Sequence, residues 1–235
     1  VPTIVVDYCF LSGEGDEESL IVKVARDEES SYLFAHAVPR KGLTHIHGAT
    51  ELVKDIERLG YKTIVLETDG EQAMKSLQEE VQARRGERTI LENSPTGESQ
   101  SNGLAERAAQ AVSEHARVLR SALQNRLGAV VSCHHPLMAW LVEHAASCIS
   151  RFRVGSGGKT AYERVKGKKF NQEIVEFGER YRCLWCMRTT SVKRFLSALP
   201  CKQAAEHSVW TAGAVNACLK CGAYSEKRSL LLKAV

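Results

Sequence analysis

The sequence predicts an α/β fold in which a five-stranded mixed sheet is flanked by helices. Three short apolar segments rich in β-branched residues follow one another at residues 3–11, 19–26 and 32–38, separated by polar turns. This spacing is typical of three consecutive antiparallel strands. Helical and strand-like patterns then alternate, which is typical of parallel strands joined by right-handed crossovers.

The alternating part contributes two more strands, at 62–66 and 88–91, and two helices, at 50–59 and 72–85. Apolar residues at helical spacing predict a long helix at 102–127 and another at 136–153, before a glycine-rich break at 154–158. We therefore divide the chain into a core at 1–157, a basic segment at 158–180 and an irregular or helical cysteine-containing extension at 181–235.

Composition and charge limit the class of protein. Apolar residues make up 43% and charged residues 26% of the 235 residues, as in an ordinary globular protein. Residues 1–150 contain 15 Lys and Arg against 22 Asp and Glu, whereas residues 151–235 contain 17 against 6, so net charges of −7 and +11 add to +4. An acidic body with a basic tail suits metal binding beside a polyanion, although charge runs are also typical of solvated faces.

Several patterns indicate a protein of a reducing, intracellular compartment. No apolar segment approaches the roughly 20 residues of a membrane span, and the start lacks a basic, cleavable leader. The eight cysteines form no compact disulfide framework. Because the chain opens on Val, we expect it to be a fragment of something longer.

Three acidic residues occupy conspicuous places. Asp7 lies inside an apolar strand, where an unpaired carboxylate is costly to bury, so it indicates function. Asp69 ends the fourth predicted strand, and Glu106 lies one turn inside the long helix. Taken singly, Asp69 is also typical of a turn, and Glu106 of a first-turn acid favoured by the helix dipole.

The sequence around these acids resembles the three acidic motifs of retroelement integrase cores, closest to the copia type. The matching segments are Val5-Val6-Asp7-Tyr8, Glu67-Thr68-Asp69-Gly70-Glu71 and Ser101-Asn102-Gly103-Leu104-Ala105-Glu106-Arg107, and Gly158-Lys159-Thr160-Ala161-Tyr162-Glu163-Arg164 resembles the segment that follows these cores. The 36 residues between Asp69 and Glu106 are close to the family's spacing. The element order is similarly that of the ribonuclease-H-like fold. Gly70 departs from the family pattern, which often has Asn after the second acid.

The resemblance implies a polynucleotidyl transferase that cleaves phosphodiesters and joins retrotransposon DNA ends to target DNA. Two Mg²⁺ or Mn²⁺ ions about 3.5–4 Å apart are expected as cofactors. Asp7 would bridge both ions, Asp69 would hold one and Glu106 the other. Glu67, Glu71 and Glu92 are alternative ligands that we rank below Asp69 because alternate side chains of a strand face opposite ways.

The expected partner is DNA, both element ends and target, together with further copies of the chain and without a membrane. Asn102 and Gly103 lie at a predicted helix start, where backbone N–H groups favour a phosphate. The other candidate DNA contacts are basic: Arg107, Lys75, Lys159, Lys166, Lys168 and Lys169. An integrase would act in the nucleus, with a cytoplasmic particle stage.

Two Cys-x₂-Cys pairs in the extension, Cys183 with Cys186 and Cys218 with Cys221, predict a four-thiolate zinc site. The 31 residues between the pairs exceed the usual spacing of about 15–20, which favours a divergent extension without zinc.

Two other functions remain open at this point. One is a ribonuclease H or related nuclease of the same fold. The other is a catalytically silent fragment that only binds nucleic acid.

Overall fold

The computed structural model describes residues 1–13, 18–41, 46–93, 99–172 and 177–178, with backbone only at 46–47 and 99–102. The strands are β1 (Thr3–Leu11), β2 (Leu20–Asp27), β3 (Leu33–Val38), β4 (Ile64–Thr68) and β5 (Thr89–Asn93). The helices are α1 (Ile46–Leu59), α2 (Gln72–Arg84), α3 (Ser99–Leu127), α4 (Leu137–Phe152) and α5 (Ala161–Lys166).

The five strands form one mixed sheet in the order β3-β2-β1-β4-β5. β1 and β2 pair antiparallel, as do β2 and β3, whereas β4 is parallel to both β1 and β5. The predicted mixed sheet is thereby confirmed. In this order β1 is central, and its register places Val6 beside Thr68, the last residue of β4. The middle of β1 is consequently level with the carboxyl end of β4.

Side-chain alternation divides the sheet into two faces, which we call the α1 face and the α3 face. On the α1 face, Ile4, Val6 and Tyr8 of β1 join the cluster of buried residues contributed by α1, α2 and β4. Val5, Asp7 and Cys9 alternate with them and therefore point to the α3 face. Asp7 thus lies beneath a helix rather than in the main apolar cluster.

Small residues let α3 approach the sheet closely. The residues that α3 buries toward β1 and β2 include Ala105, Ala108, Ala109, Val112 and Ala116. Because alanine side chains occupy little space between the helix axis and the sheet, the α3 backbone and the side chains beside these alanines come close to β1. Gly128, with a positive φ of 64°, ends the helix as its sequence predicts.

Most predicted elements occur, with three differences. α1 begins at Ile46 and α3 at Ser99, earlier than their apolar patterns suggest, because Gly48 lies in the first turn of α1 and the first turn of α3 is polar. The short α5 was not predicted; the Thr160 hydroxyl caps it by accepting a hydrogen bond from Glu163 N–H at 3.1 Å. Within the described ranges, no helix has the length and apolar character to cross a membrane.

The chain divides into two units, Val1–Phe170 and Asn171–Val235. All the helices and strands given above belong to the first unit. The sequence analysis placed the end of the core at residue 157. The first unit extends to Phe170, so it also includes residues 158–170 of the expected basic segment. The irregular or helical extension expected at 181–235 lies outside the described residues.

Candidate active site

Asp7 occupies the middle of the central strand, paired with Val24 of β2. Its Oδ1 accepts a hydrogen bond of 2.7 Å from the backbone N–H of Tyr8. Burial raises the pKa of the Asp7 carboxyl, and this hydrogen bond opposes the rise. The nearby charges of Asp69 and Glu106 raise the pKa further. Asp69 and Glu106, which come from two other elements, therefore both lie within electrostatic range of Asp7 near the centre of the sheet.

Asp69 directly follows β4, whose last residue is beside Val6, so it continues toward Asp7 on the α3 face. Burial raises its pKa, and the charge of Glu71 adds to the rise. Its Oδ1 is buried and has no hydrogen-bond partner in the part of the chain that the structure describes. A buried carboxylate oxygen of this kind is costly unless a cation or water binds it.

Glu106 comes from α3, between the buried Ala105 and the exposed Arg107. The close packing of α3 on β1 brings Glu106 near enough to Asp7 to raise the pKa of that acid. The Glu106 side chain itself is exposed to solvent. The group of three acids thus consists of the solvent-exposed Glu106 and the two partly buried residues Asp7 and Asp69.

Lys41, which the sequence analysis did not single out, supplies a cation at this site. Its ammonium lies 2.9 Å from Glu71 Oε2 and lowers the pKa of both Asp7 and Asp69. The same ammonium is 5.8 Å from the ring centroid of Tyr8. Lys41 follows the carboxyl end of β3, and β3 runs parallel to β1, which carries Asp7. A basic residue just after that strand is the sequence feature that could have identified it.

The donor set suits a hard divalent cation, since carboxylate oxygens are the ligands that Mg²⁺ prefers. Two observations fit such an ion: the unpartnered Asp69 Oδ1, and the raised pKa of Asp7, to which repulsion by Asp69 and Glu106 contributes in addition to burial. However, no group of three or more His, Cys, Asp or Glu side chains within the described ranges is drawn together closely enough to hold a metal. The acids are thus assembled on one face without closing into a ligand shell.

Strand alternation does not exclude Glu67 and Glu92, contrary to the expectation above. Glu67 pairs with Val5 in β1 and with Glu92 in β5, so both acids lie on the same face as Asp7. Both acids lie further from the carboxyl end of the sheet than Asp69 does, because Glu67 is two residues before Asp69 and Glu92 is paired with Glu67. Glu71 is instead engaged with the Lys41 ammonium.

The expected phosphate contacts at the start of α3 need correction. α3 begins at Ser99, so Asn102 is the fourth residue of its first turn and Gly103 lies one residue beyond that turn. Since only the first four N–H groups of a helix lack an internal partner, Gly103 is beyond them. The Asn102 side chain lies outside the described residues. Arg107 is exposed, and its Nε donates to the Gly103 carbonyl at 2.7 Å.

The remaining basic candidates lie in two places. Lys75 is in the first turn of α2, one turn from Glu71. Lys159, Lys166, Lys168 and Lys169 are exposed around α5. This segment is held to the core by Phe170, whose ring lies 5.7 Å from that of Phe152, and by Lys166 Nζ, which donates to the Arg58 carbonyl at 3.4 Å. The four cysteines of the expected zinc site, Cys183, Cys186, Cys218 and Cys221, lie outside the described residues.

Comparison with known proteins identifies the fold. Neither a family model nor a curated protein sequence matches the chain. Among solved structures, the simian T-cell lymphotropic virus intasome bound to PP2A regulatory subunit B56 gamma matches 77% of this chain and 59% of that chain, with a TM-score of 0.53 and 15% identity. This chain thus has the ribonuclease-H-like fold of integrase catalytic cores.

Two isolated catalytic core domains are also similar. The core of BIV integrase matches at 19% identity and a TM-score of 0.49, covering 70% of this chain and 93% of that one. The HTLV-2 integrase core, solved in complex with magnesium in a trimeric form, matches at 14% identity and a TM-score of 0.49, covering 69% and 95%.

Proposed function

We propose that this chain is the catalytic core of a copia-type retrotransposon integrase, which joins element DNA ends to target DNA. The observation that carries the proposal is the proximity of Asp69 and Glu106 to Asp7: burial raises the Asp7 pKa, and the charges of both other acids add to the rise. It means that three separate elements bring acids together on the face beneath α3. The ribonuclease-H-like fold supports the same reading, since the acids lie in β1, after β4 and in α3.

In this proposal Asp7, Asp69 and Glu106 hold two Mg²⁺ or Mn²⁺ ions. When bound, such ions activate the attacking oxygen and stabilise the leaving oxygen of the phosphodiester. The chain's own residues orient the ligands: the hydrogen bond from the Tyr8 N–H orients the Asp7 carboxylate, and Asp69 offers an Oδ1 that has no partner within the described residues. The Lys41 ammonium holds Glu71 beside the acids. Glu106, on the exposed side of α3, completes the site from the solvent side.

The proposal extends to partners and location. DNA, both element ends and target, is the substrate, and several copies of the chain act together on two ends. The protein acts in the nucleus after a cytoplasmic particle stage. The intasome among the similar structures supports action within an assembly.

The test is a strand-transfer assay with a labelled DNA end and either Mg²⁺ or Mn²⁺. We expect Asp7→Asn, Asp69→Asn and Glu106→Gln each to reduce product at least about 100-fold, because each removes a proposed metal ligand. Glu114→Gln is the matched control: Glu114 is also exposed on α3, two turns beyond Glu106, and it accepts a hydrogen bond of 2.8 Å from Gln110 of the same helix.

Three results would change the assignment. Equal activity of Glu106→Gln and Glu114→Gln would remove Glu106 from the site. Cleavage of RNA in an RNA–DNA hybrid, without strand transfer, would assign a ribonuclease H. DNA binding with no metal-dependent reaction of any kind would leave a nucleic-acid-binding fragment.

A further inference from the structure

A second charged group lies beside the acids on the α3 face. Arg26 of β2 is the register partner of Val5 in β1 and of Leu33 in β3. Paired residues face the same side, so Arg26 points with Val5 and Asp7 toward α3. Asp7 pairs with Val24, two residues away along β2, which makes Arg26 a diagonal neighbour of Asp7 at about 7–8 Å between Cα atoms.

Two helices bring further arginines to Arg26. Arg153 follows α4, one turn after Ser150, whose hydroxyl accepts from Leu33 N–H at 2.9 Å and donates to Leu33 C=O at 3.3 Å. Since Leu33 pairs with Arg26, this anchoring holds the end of α4 near Arg26, and the Arg153 charge acts on the Arg26 guanidinium. Arg107 follows Glu106 on α3, the helix that packs on β1 and β2. We call Arg26, Arg107 and Arg153 the arginine cluster.

The charges of the arginine cluster are not balanced from within. Burial lowers the pKa of the Arg26 guanidinium, and the charges of Arg107 and Arg153 lower it further, more strongly than Glu28 and Asp27 raise it. Arg26 Nε is buried and has no hydrogen-bond partner within the described ranges, while Nη2 donates to Ser31 Oγ at 3.2 Å. Two cations that repel Arg26, together with the unused buried donor of Arg26 itself, favour an anionic ligand.

We propose that the arginine cluster binds a backbone phosphate of the DNA strand next to the phosphate held at the acids, and so sets the position of the strand. This rests on the proposed integrase function. Guanidinium groups present planar pairs of donors that match phosphate oxygens. Phosphate contacts of this kind position DNA without reading its sequence. The acids and the arginine cluster thereby divide the work: the acids act on one phosphate, and the cluster holds its neighbour.

The test is fluorescence anisotropy with labelled duplex DNA in EDTA, titrated with NaCl, so that no metal chemistry contributes. Arg107→Gln and Arg153→Gln each change an exposed residue, so folding is preserved. We expect each to weaken binding about tenfold and to flatten the salt dependence by about one unit, equally for unrelated DNA sequences. Arg88→Gln is the matched control, since Arg88 is exposed in the turn before β5.

A second readout uses inorganic phosphate in place of DNA. Phosphate should raise the melting temperature of the unmodified protein more than that of the Arg107→Gln, Arg153→Gln double variant. Affinity and salt slope equal to those of Arg88→Gln in both single variants would overturn the proposal. The strand-transfer function can fail separately: Asp7→Asn should bind DNA in EDTA at least as tightly as the unmodified protein, because it removes a negative charge near the phosphates.

Discussion

On the α1 face of the sheet Asp55 is surrounded by cations, whereas on the α3 face Asp7 is surrounded by acids. Asp55 Oδ2 lies 2.5 Å from His36 Nε2, and its Oδ1 lies 2.9 Å from Arg58 Nη1. The buried Lys23 ammonium adds a third positive charge nearby and donates to the Gly48 carbonyl. Every oxygen of Asp55 is thus engaged by the protein itself.

Asp7 and Asp69 show the opposite arrangement. The pKa of each is raised by burial and by neighbouring acids, and Asp69 Oδ1 has no partner in the part of the chain described. The difference teaches that burial of a carboxylate does not identify a functional group by itself. A carboxylate neutralised from within stabilises the fold, whereas one left without compensation is available for an external cation.

The largest effect should separate the two faces by stability. Asp55→Asn removes the charge that His36, Arg58 and Lys23 share, and leaves buried cations unpaired, so we expect a loss of about 3–5 kcal/mol in the free energy of unfolding. Asp7→Asn should leave that free energy unchanged or raise it, because it relieves repulsion. Urea denaturation in EDTA measures both. A similar loss in the two variants would erase the distinction between the faces.

The next effect is a pH dependence that belongs to the α1 face. Burial opposes protonation of His36, but hydrogen bonds to Asp55 and Glu143 outweigh it and raise its pKa to about 9. A raised pKa gives stability that is complete below about pH 6.5 and is lost as pH rises toward 9, on the order of 3 kcal/mol. The difference in unfolding free energy between the unmodified protein and His36→Gln should therefore be largest near pH 6.5 and should shrink as the pH rises toward 9.

Lys23 acts in the other direction and needs its own control. Burial lowers its pKa to about 8, so the charged form costs stability, and that cost is relieved as pH rises from about 8 toward 10.5. Unfolding free energies of Lys23→Met and His36→Gln, measured from pH 6 to 9.5, separate the two contributions. Profiles of His36→Gln and the unmodified protein that stay parallel would show that His36 does not carry the dependence.

A smaller effect concerns the α3 face and metal. A ligand at 100 times its dissociation constant stabilises by about 2.7 kcal/mol, which in a chain of this size is a rise of roughly 5–10 °C in melting temperature. We expect Mg²⁺ to raise the melting temperature of the unmodified protein and of Glu114→Gln, but much less that of Asp7→Asn. Equal gains in all three would argue against metal binding at Asp7.

The smallest effect on stability should come from the basic segment outside both faces. Replacing Lys166, Lys168 and Lys169 with Ala changes exposed residues, so the unfolding free energy should move by no more than about 0.5 kcal/mol. Affinity for all DNA sequences should fall alike, and the salt dependence should flatten by up to about three units. An unchanged salt titration would assign these lysines to solvated surface.

Local patterns predicted the sheet well because each strand carries its own signal. The apolar run around Asp7 predicted β1, and the turn at Asp69-Gly70 marked the end of β4. The first turns of α1 and α3 and the short α5 were missed, since a glycine interrupts the first, polar residues form the second, and six residues are too few to show a helical period. Glu67 was wrongly separated from Asp69, because residues two apart in a strand face the same side. Placing Glu92 on that face also required the register between β4 and β5, which local patterns do not give.

The sequence by itself determined the element order and the mixed sheet, and it singled out the three acids as candidates, because periodicity and a charged residue inside an apolar strand are local properties. Only the tertiary structure decided which charges meet. Arg26, Arg107 and Arg153 are far apart along the chain and come together through strand register and the anchoring of Ser150 at Leu33. Likewise Asp55 resembles any helical surface acid until His36 and Lys23 of neighbouring strands are placed against it. Electrostatic energy depends on distance in space, and distance in sequence does not specify it.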